Sequence, residues 1–165
     1  MAAKDLRELF HETLKDIYFA EKKILTTLPK MAKAAQSADL KAAFVKHERE
    51  TRGQVKRLEQ VFKIFGKKPQ AKKCEAIMGI TKEGAEIMTE FKGMPALDAG
   101  LAAAAQAVEH YEMSRYGTLK TWAAELGMSD AADLLDATLK EEKATDAALT
   151  SLAKSVVNVE AEAEL

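Results

Sequence analysis

Four helix-length stretches of the sequence each place a glutamate where an apolar stripe should continue. The first stripe runs Leu6, Phe10, Leu14, Ile17, Glu21, Ile24, Leu28, Met31, and the second Leu40, Phe44, His47, Glu50, Gln54, Leu58, Val61, Phe65. The third reads Leu101, Ala105, Val108, Glu112, Tyr116, Leu119, Trp122, Leu126, and the fourth Leu135, Leu139, Glu142, Asp146, Leu149, Leu152, Val156. Steps of three and four keep each series on one helix face. Carboxylates crowded into one core repel one another and lose hydration. They are tolerated there if they share protons or bind a cation, and no lysine or arginine interrupts the stripes to neutralise them. The chemistry this pattern favours is a carboxylate-bridged metal site.

Helical bundles that hold two metal ions draw one glutamate from each of two helices and a Glu-x-x-His pair from each of the other two. Glu21 and Glu112 fill the role of the single or bridging carboxylates, and Glu50 and Glu142 that of the remaining helix ligands. Gly53 and Thr145 stand three residues after Glu50 and Glu142, where histidines would complete the pairs. His47, Gln54, Glu109 and Asp146 are the candidates to complete the shell. His47 precedes Glu50 by three residues and Glu109 precedes Glu112 by three, so each shares its partner's face. A donor set rich in oxygen and poor in imidazole points to two ions of iron or manganese, with magnesium and calcium also compatible. Other residues have structural readings. His110 falls off the site's face, His11 is a surface or helix–helix residue, and Trp122 belongs to the core. Tyr18, Tyr111 and Tyr116 pack with a hydroxyl partner, close enough to the site to donate to it.

The elements that must position these residues follow from periodicity and breakers. With only three prolines and eight glycines, each breaker is informative. Helices are expected over about 5–35, with a kink at Pro29, and over about 39–65, capped by Ser37 or Asp39 and closed by Gly66. A short turn makes these two antiparallel neighbours. Residues 66–95 read as a crossover carrying a shorter helix over about 74–90. Further helices follow over about 95–125, with Pro95 in the first turn, and about 130–155, with Ser129 as N-cap. The result is an all-α, ferritin-like four-helix bundle with one long crossover carrying a short fifth helix, as a single domain over 1–157. A frayed acidic tail is expected over 158–165. The run Ala102-Ala103-Ala104-Ala105 favours helix and lets a neighbouring helix approach closely.

The two halves of the chain correspond weakly. Glu112 follows Glu21 by 91 residues, and Glu142 follows Glu50 by 92. A pair of helical hairpins related by a pseudo-twofold axis would bring all four glutamates to one level.

Composition excludes several classes. A net charge of -1 provides no basic field for nucleic acid or an anionic membrane. No apolar run is long enough to span a bilayer. The N-terminus turns charged within Met1-Ala2-Ala3-Lys4-Asp5 and has no signal-peptide core. Cys74 is the sole cysteine, so no internal disulfide forms, and the cytoplasm is the expected compartment.

The strings Tyr18-Phe19-Ala20-Glu21-Lys22, His47-Glu48-Arg49-Glu50-Thr51-Arg52-Gly53-Gln54 and Val108-Glu109-His110-Tyr111-Glu112 resemble motifs of the YciF/YciE-type bacterial ferritin-like proteins. So do Tyr116-Gly117-Thr118-Leu119 and Thr138-Leu139-Lys140-Glu141-Glu142-Lys143, and the resemblance runs from about residue 5 to 153. It implies a ferritin-like bundle with a fifth short helix, a homodimer and expression linked to stress, and it supplies no activity. The leading functional expectation is therefore a stress-linked protein with a binuclear iron or manganese site acting on oxygen, peroxide or Fe(II). The competing expectation is a non-catalytic stress-induced oligomeric protein, with Leu25, Phe62 and Met113 forming an interface and the carboxylates sharing protons. Iron storage is weaker, since it requires a closed hollow shell.

Overall fold

The computed structural model describes residues 4–163. The expectations for residues 1–3 and 164–165 lie outside that range. The chain is all-α, with α1 (Leu6–Ala34), α2 (Ala38–Phe65), α3 (Glu75–Glu90), α4 (Leu97–Glu125) and α5 (Ser129–Leu152), then a π-helical turn (Ala153–Val157) and α6 (Asn158–Ala163). The helix α1 pairs with α2 and α4 pairs with α5, while α2 also packs on α5 and α1 on α4. These four surround one core, and α3 lies outside it against α4 and α1.

Cross-helix bonds fix the directions. Arg7 meets the Phe65 carbonyl while Tyr18 meets Glu59, so α1 and α2 are antiparallel. Gln36 meets the Met94 carbonyl while Glu21 meets Tyr116, so α1 and α4 are antiparallel too. Since α2 and α4 therefore run the same way, their connection must travel the length of the bundle, and the α3 segment does so. All four stripes turn inward. Phe10, Leu14, Ile17 and Ile24 of α1 are buried, as are Phe44, Leu58 and Val61 of α2, Leu101 and Leu119 of α4, and Leu135 of α5.

The helix ends are specified locally. Asp5 caps α1 by accepting the Glu8 N–H at 2.9 Å, and Ser37 caps α2 through the Leu40 N–H. Gly66 closes α2 in the left-handed conformation (φ 79°) that glycine adopts without a side-chain clash. A second glycine is needed for closeness rather than for φ. A Cβ on Gly100 would stand 2.7 Å from Ile87 Cγ2, so its absence lets α3 seat against α4.

Pro29 lies inside α1, which runs to Ala34. Three expectations are corrected. Ser129 is the first residue of α5 and not its cap: Met128, whose side chain offers no oxygen to accept a helix N–H, takes the cap position, and its N–H closes α4 on the Ala123 carbonyl. The tail is helical through Ala163, continuing from α5 along α4 and anchored by the fully buried Val157. Phe62 is fully buried, stacking edge-on against Tyr18, and is unavailable to a partner; Leu25 and Met113 are half-buried.

The turn between α1 and α2 depends on a residue from elsewhere. Asp98, buried in the first turn of α4, accepts the Gln36 N–H at 2.8 Å and the Ser37 N–H at 2.5 Å. Hydrogen bonds to a charged group are worth more than neutral ones, and both donors would otherwise lack partners. Asp98→Ala is expected to lower the unfolding free energy by about 2–3 kcal/mol. Urea denaturation measures it, and an unchanged midpoint would show that the turn closes without this carboxylate.

Candidate metal centre

Halfway along the bundle the apolar core gives way to acid. Glu21 of α1, Glu109 and Glu112 of α4, and Glu142 of α5 are all buried, with His47 of α2 beside them. One ligand atom from each of His47, Glu109, Glu112 and Glu142 lies within 4.8 Å of the others. Opposed ligands of one cation stand about 4 to 5 Å apart, twice an ordinary metal–ligand bond. The spacing is therefore that of a cation cradle.

Hydrogen bonding leaves this cluster unsatisfied. Both oxygens of Glu112 and Glu142, Oε2 of Glu21 and Glu109, and both ring nitrogens of His47 are buried without a hydrogen-bond partner. His47 Nε2 stands 3.1 Å from Glu109 Oε1, but the ring is not aligned to donate or accept there. Such orphaned buried groups are rare in folded proteins, and each one calls for an explanation. One oxygen of the set is held: the fully buried Tyr116 donates to Glu21 Oε1 from one turn beyond Glu112. Among the described residues, no lysine or arginine pairs with Glu21, Glu109, Glu112 or Glu142. The donor set fits a hard or borderline cation.

Burial and mutual repulsion set the protonation. Loss of hydration, then the neighbouring Glu142, pushes Glu21 up to about 8. The same two causes drive Glu109 up to about 12 and Glu112 well above the carboxylate range. Burial pushes His47 down, so its ring is neutral and able to ligate. Without a cation, these carboxyls must hold protons.

The structure divides the eight expected site residues. Glu112, Glu142, Glu109 and His47 form the cradle, and Glu21 adjoins it through Glu112. Glu50 stands at its edge: Lys46 holds Oε1 at 2.5 Å on the surface side, while Oε2 is buried and unpartnered. Gln54 is buried and its amide donates to Glu141 at 3.1 Å, leaving its own oxygen unpartnered. Asp146 stands apart. It lies one turn beyond Glu142, where the helix has rotated it toward the rim, and Gln106 and His110 engage its carboxylate at 3.2 and 3.1 Å.

Two contributors do not show in the stripes. Glu141 reads as a solvated neighbour of Glu142, yet it accepts two bonds from Arg57, at 2.6 and 2.8 Å, and one from Gln54. Arg57 follows Gln54 by three residues, so the chain Arg57–Glu141–Gln54 ties α2 to α5 at the edge of the site. That spacing was visible in the sequence; the pairing partner on α5 was not.

Residues 5–162 match the family described as Domain of unknown function (DUF892). Protein YciF of Escherichia coli (strain K12) is 44% identical over 163 residues, covering 98% of each chain. The crystal structure of the E. coli stress protein YciF superposes with a TM-score of 0.90 at 43% identity, covering 94% of this chain and 99% of that one. A structure of YcfI from Rhodopseudomonas palustris gives 0.84 at 44% identity, over 89% and 94% of the two chains. The chain belongs to the DUF892 family.

The raised carboxyls carry a pH signature. Glu21, Glu109 and Glu112 hold protons in the folded chain that they release on unfolding, where they return toward the ordinary 4.5. Their contribution to stability is complete below that value and is lost as pH rises through the folded values. His47, shifted down, acts in the opposite sense only up to its unfolded value of 6.5. The melting temperature of the metal-free protein is therefore expected to fall from about pH 7 to about pH 9, and Glu109→Gln should flatten the slope. Calorimetry in the presence of a chelator measures this, and a flat wild-type profile would mean that the cluster carries no trapped protons.

Proposed function

We propose that this DUF892 protein is a stress-linked metalloprotein whose bundle holds two ions of iron or manganese for oxidation chemistry with oxygen, peroxide or Fe(II). The observation that carries the reading is the set of unpartnered polar atoms at mid-bundle. Six carboxylate oxygens and two ring nitrogens of Glu21, His47, Glu109, Glu112 and Glu142 are buried without partners, and Glu50 Oε2 and the Gln54 oxygen adjoin them. That is more donors than one first-row transition-metal ion takes up, and it matches a pair bridged by carboxylates.

The residues divide the work by position. Glu109, Glu142, Glu112 and His47 would hold one ion, and Glu112 would reach the second together with Glu21, Glu50 and Gln54. Oxygen donors with a single imidazole suit iron and manganese, whose change of oxidation state supplies the redox chemistry when bound. Tyr116 fixes the orientation of Glu21, and Arg57 fixes Gln54 through Glu141. Binding requires Glu21, Glu109 and Glu112 to give up their protons, so uptake releases acid. Around them Ile17, Ile24, Leu58 and Leu119 exclude water, which strengthens every charge interaction inside. Homodimer formation belongs to the same proposal and is read out by sedimentation.

Elemental analysis after exposure to Fe(II) or Mn(II) and thorough desalting tests the reading. About two ions per chain are expected. Glu112→Gln, at the shared carboxylate, should lose most of both while keeping its helical spectrum, and Glu50→Ala should weaken the second. Wild-type metal content in Glu112→Gln would sink the assignment.

A further inference from the structure

Two carboxylates stand at the rim of the centre where α2 packs on α5, and they are held unequally. Arg57 grips both oxygens of Glu141, at 2.6 and 2.8 Å, and the Gln54 amide adds a third bond at 3.1 Å. A forked guanidinium contact fixes geometry as well as charge. Glu50 has only Lys46, one turn earlier on the same helix, which meets Oε1 alone at 2.5 Å. The Lys46 side chain is 60% exposed, and exposed pairs of this kind are weak. Of the two carboxylates, Glu50 is the one that can move.

Its second oxygen is already inside. Glu50 Oε2 is buried without a partner, and the charge of Glu50 is felt at the buried His47 ring. One turn further along α2, the fully buried Gln54 leaves its own oxygen unpartnered. A single side chain thus carries one oxygen on a surface lysine and the other in the interior. The remaining faces offer no such residue. The groove between α1 and α3 is lined by Lys23, Lys30 and Lys82 and by no carboxylate. Between α4 and α5, Gln106 and His110 engage Asp146, and neither of its oxygens is buried without a partner.

We propose that Glu50 is the carboxylate through which a divalent cation enters the centre, and that Lys46 is the placeholder this cation displaces. The arriving ion takes Oε1 from the ammonium, Lys46 swings into water, and Glu50 turns its ion inward toward Glu112. No covalent bond changes: a doubly charged ion replaces a singly charged one on the same carboxylate. The entry role rests on the metal reading above.

Co(II) serves as the probe, because its absorption changes on coordination and it binds such donors more tightly than iron or manganese. It is mixed in stopped flow with full-length protein freed of metal. Lys46→Met should take up Co(II) severalfold faster than wild type and hold the second ion severalfold more tightly, with the rate gap narrowing as salt is added. Lys46→Arg keeps the charge with a two-point grip and should be no faster than wild type. Lys82→Met removes the same charge from the α1–α3 groove and should leave the rate unchanged. Equal rates and affinities in Lys46→Met and wild type would overturn the proposal. So would an equal acceleration in Lys82→Met, which would reduce the effect to net charge. Elemental analysis separates the two readings. Metal in wild type with no effect of Lys46 sinks the entry route alone, whereas no metal in either wild type or Lys46→Met sinks the metal reading and the route with it.

Discussion

The constraint on which the structure turns is the burial of four carboxyl groups at one level of a bundle in which, among the described residues, no cationic side chain pairs with them. Burying an ionised carboxylate without a partner costs more than a domain of this size can spare, so the group must be neutral or must coordinate an ion. Glu21, Glu109 and Glu112 meet the first condition as protonated acids when no ion is present. The second condition requires the surrounding fold to stand without the ion. The apolar layers on either side of the cluster provide for that, with Phe10 and Leu14 toward one end and Leu28 and Met31 toward the other. The acid level is a tolerated defect in an otherwise continuous core.

Connectivity then decides which residues share that level. Two antiparallel hairpins laid side by side with one long crossover make α1 a neighbour of both α2 and α4, and α5 a neighbour of both as well. A glutamate at mid-helix in each hairpin therefore reaches the same depth. The spacing of 91 residues between Glu21 and Glu112 reflects this, and the two do adjoin. The other pair is less symmetric: Glu142 is fully buried, whereas Glu50 leans outward onto Lys46. His47, one turn earlier on α2, occupies the inner position that strict symmetry would have given to Glu50. The departure from symmetry supplies the only imidazole of the cradle.

Much of this was legible in the sequence, because helix periodicity reports burial directly. The stripe residues other than those near the helix ends, such as Leu6, Trp122 and Val156, are buried with few exceptions, and the exceptions at mid-stripe are Glu50 and Asp146. Both illustrate what a stripe cannot show. A step of three or four residues fixes a face only to within a wide arc, and a long acidic side chain at the arc's edge can follow a surface lysine or a neighbouring amide outward. Lys46 draws Glu50, and Gln106 with His110 draws Asp146. The same limit hid Glu141, whose apparent place on a solvated face conceals its pairing with Arg57 across to α2. Terminal signals failed for a different reason. The acidic tail contains helix-favouring Glu160, Ala161, Glu162 and Ala163 but is too short to hold a helix alone, and its order comes with continuation from α5 and with Val157 docking on α4, a tertiary contact with no local signature.

The surface charge differs between two faces of the bundle. On the α2–α5 side, Glu50 and Glu141 bring acidic oxygens to the rim, with Glu50 holding one oxygen outside on Lys46 and the other buried toward the cluster. Lys46 and Arg57 hold these oxygens, so a divalent cation arriving there competes with both side chains. On the opposite side, where α3 covers α1, the surface groove is ringed by Lys23, Lys30 and Lys82. Like charges repel, so a divalent cation is favoured at the acidic α2–α5 face over the α1–α3 face, and the crossover segment that the parallel α2 and α4 require is also what brings Lys82 into that ring.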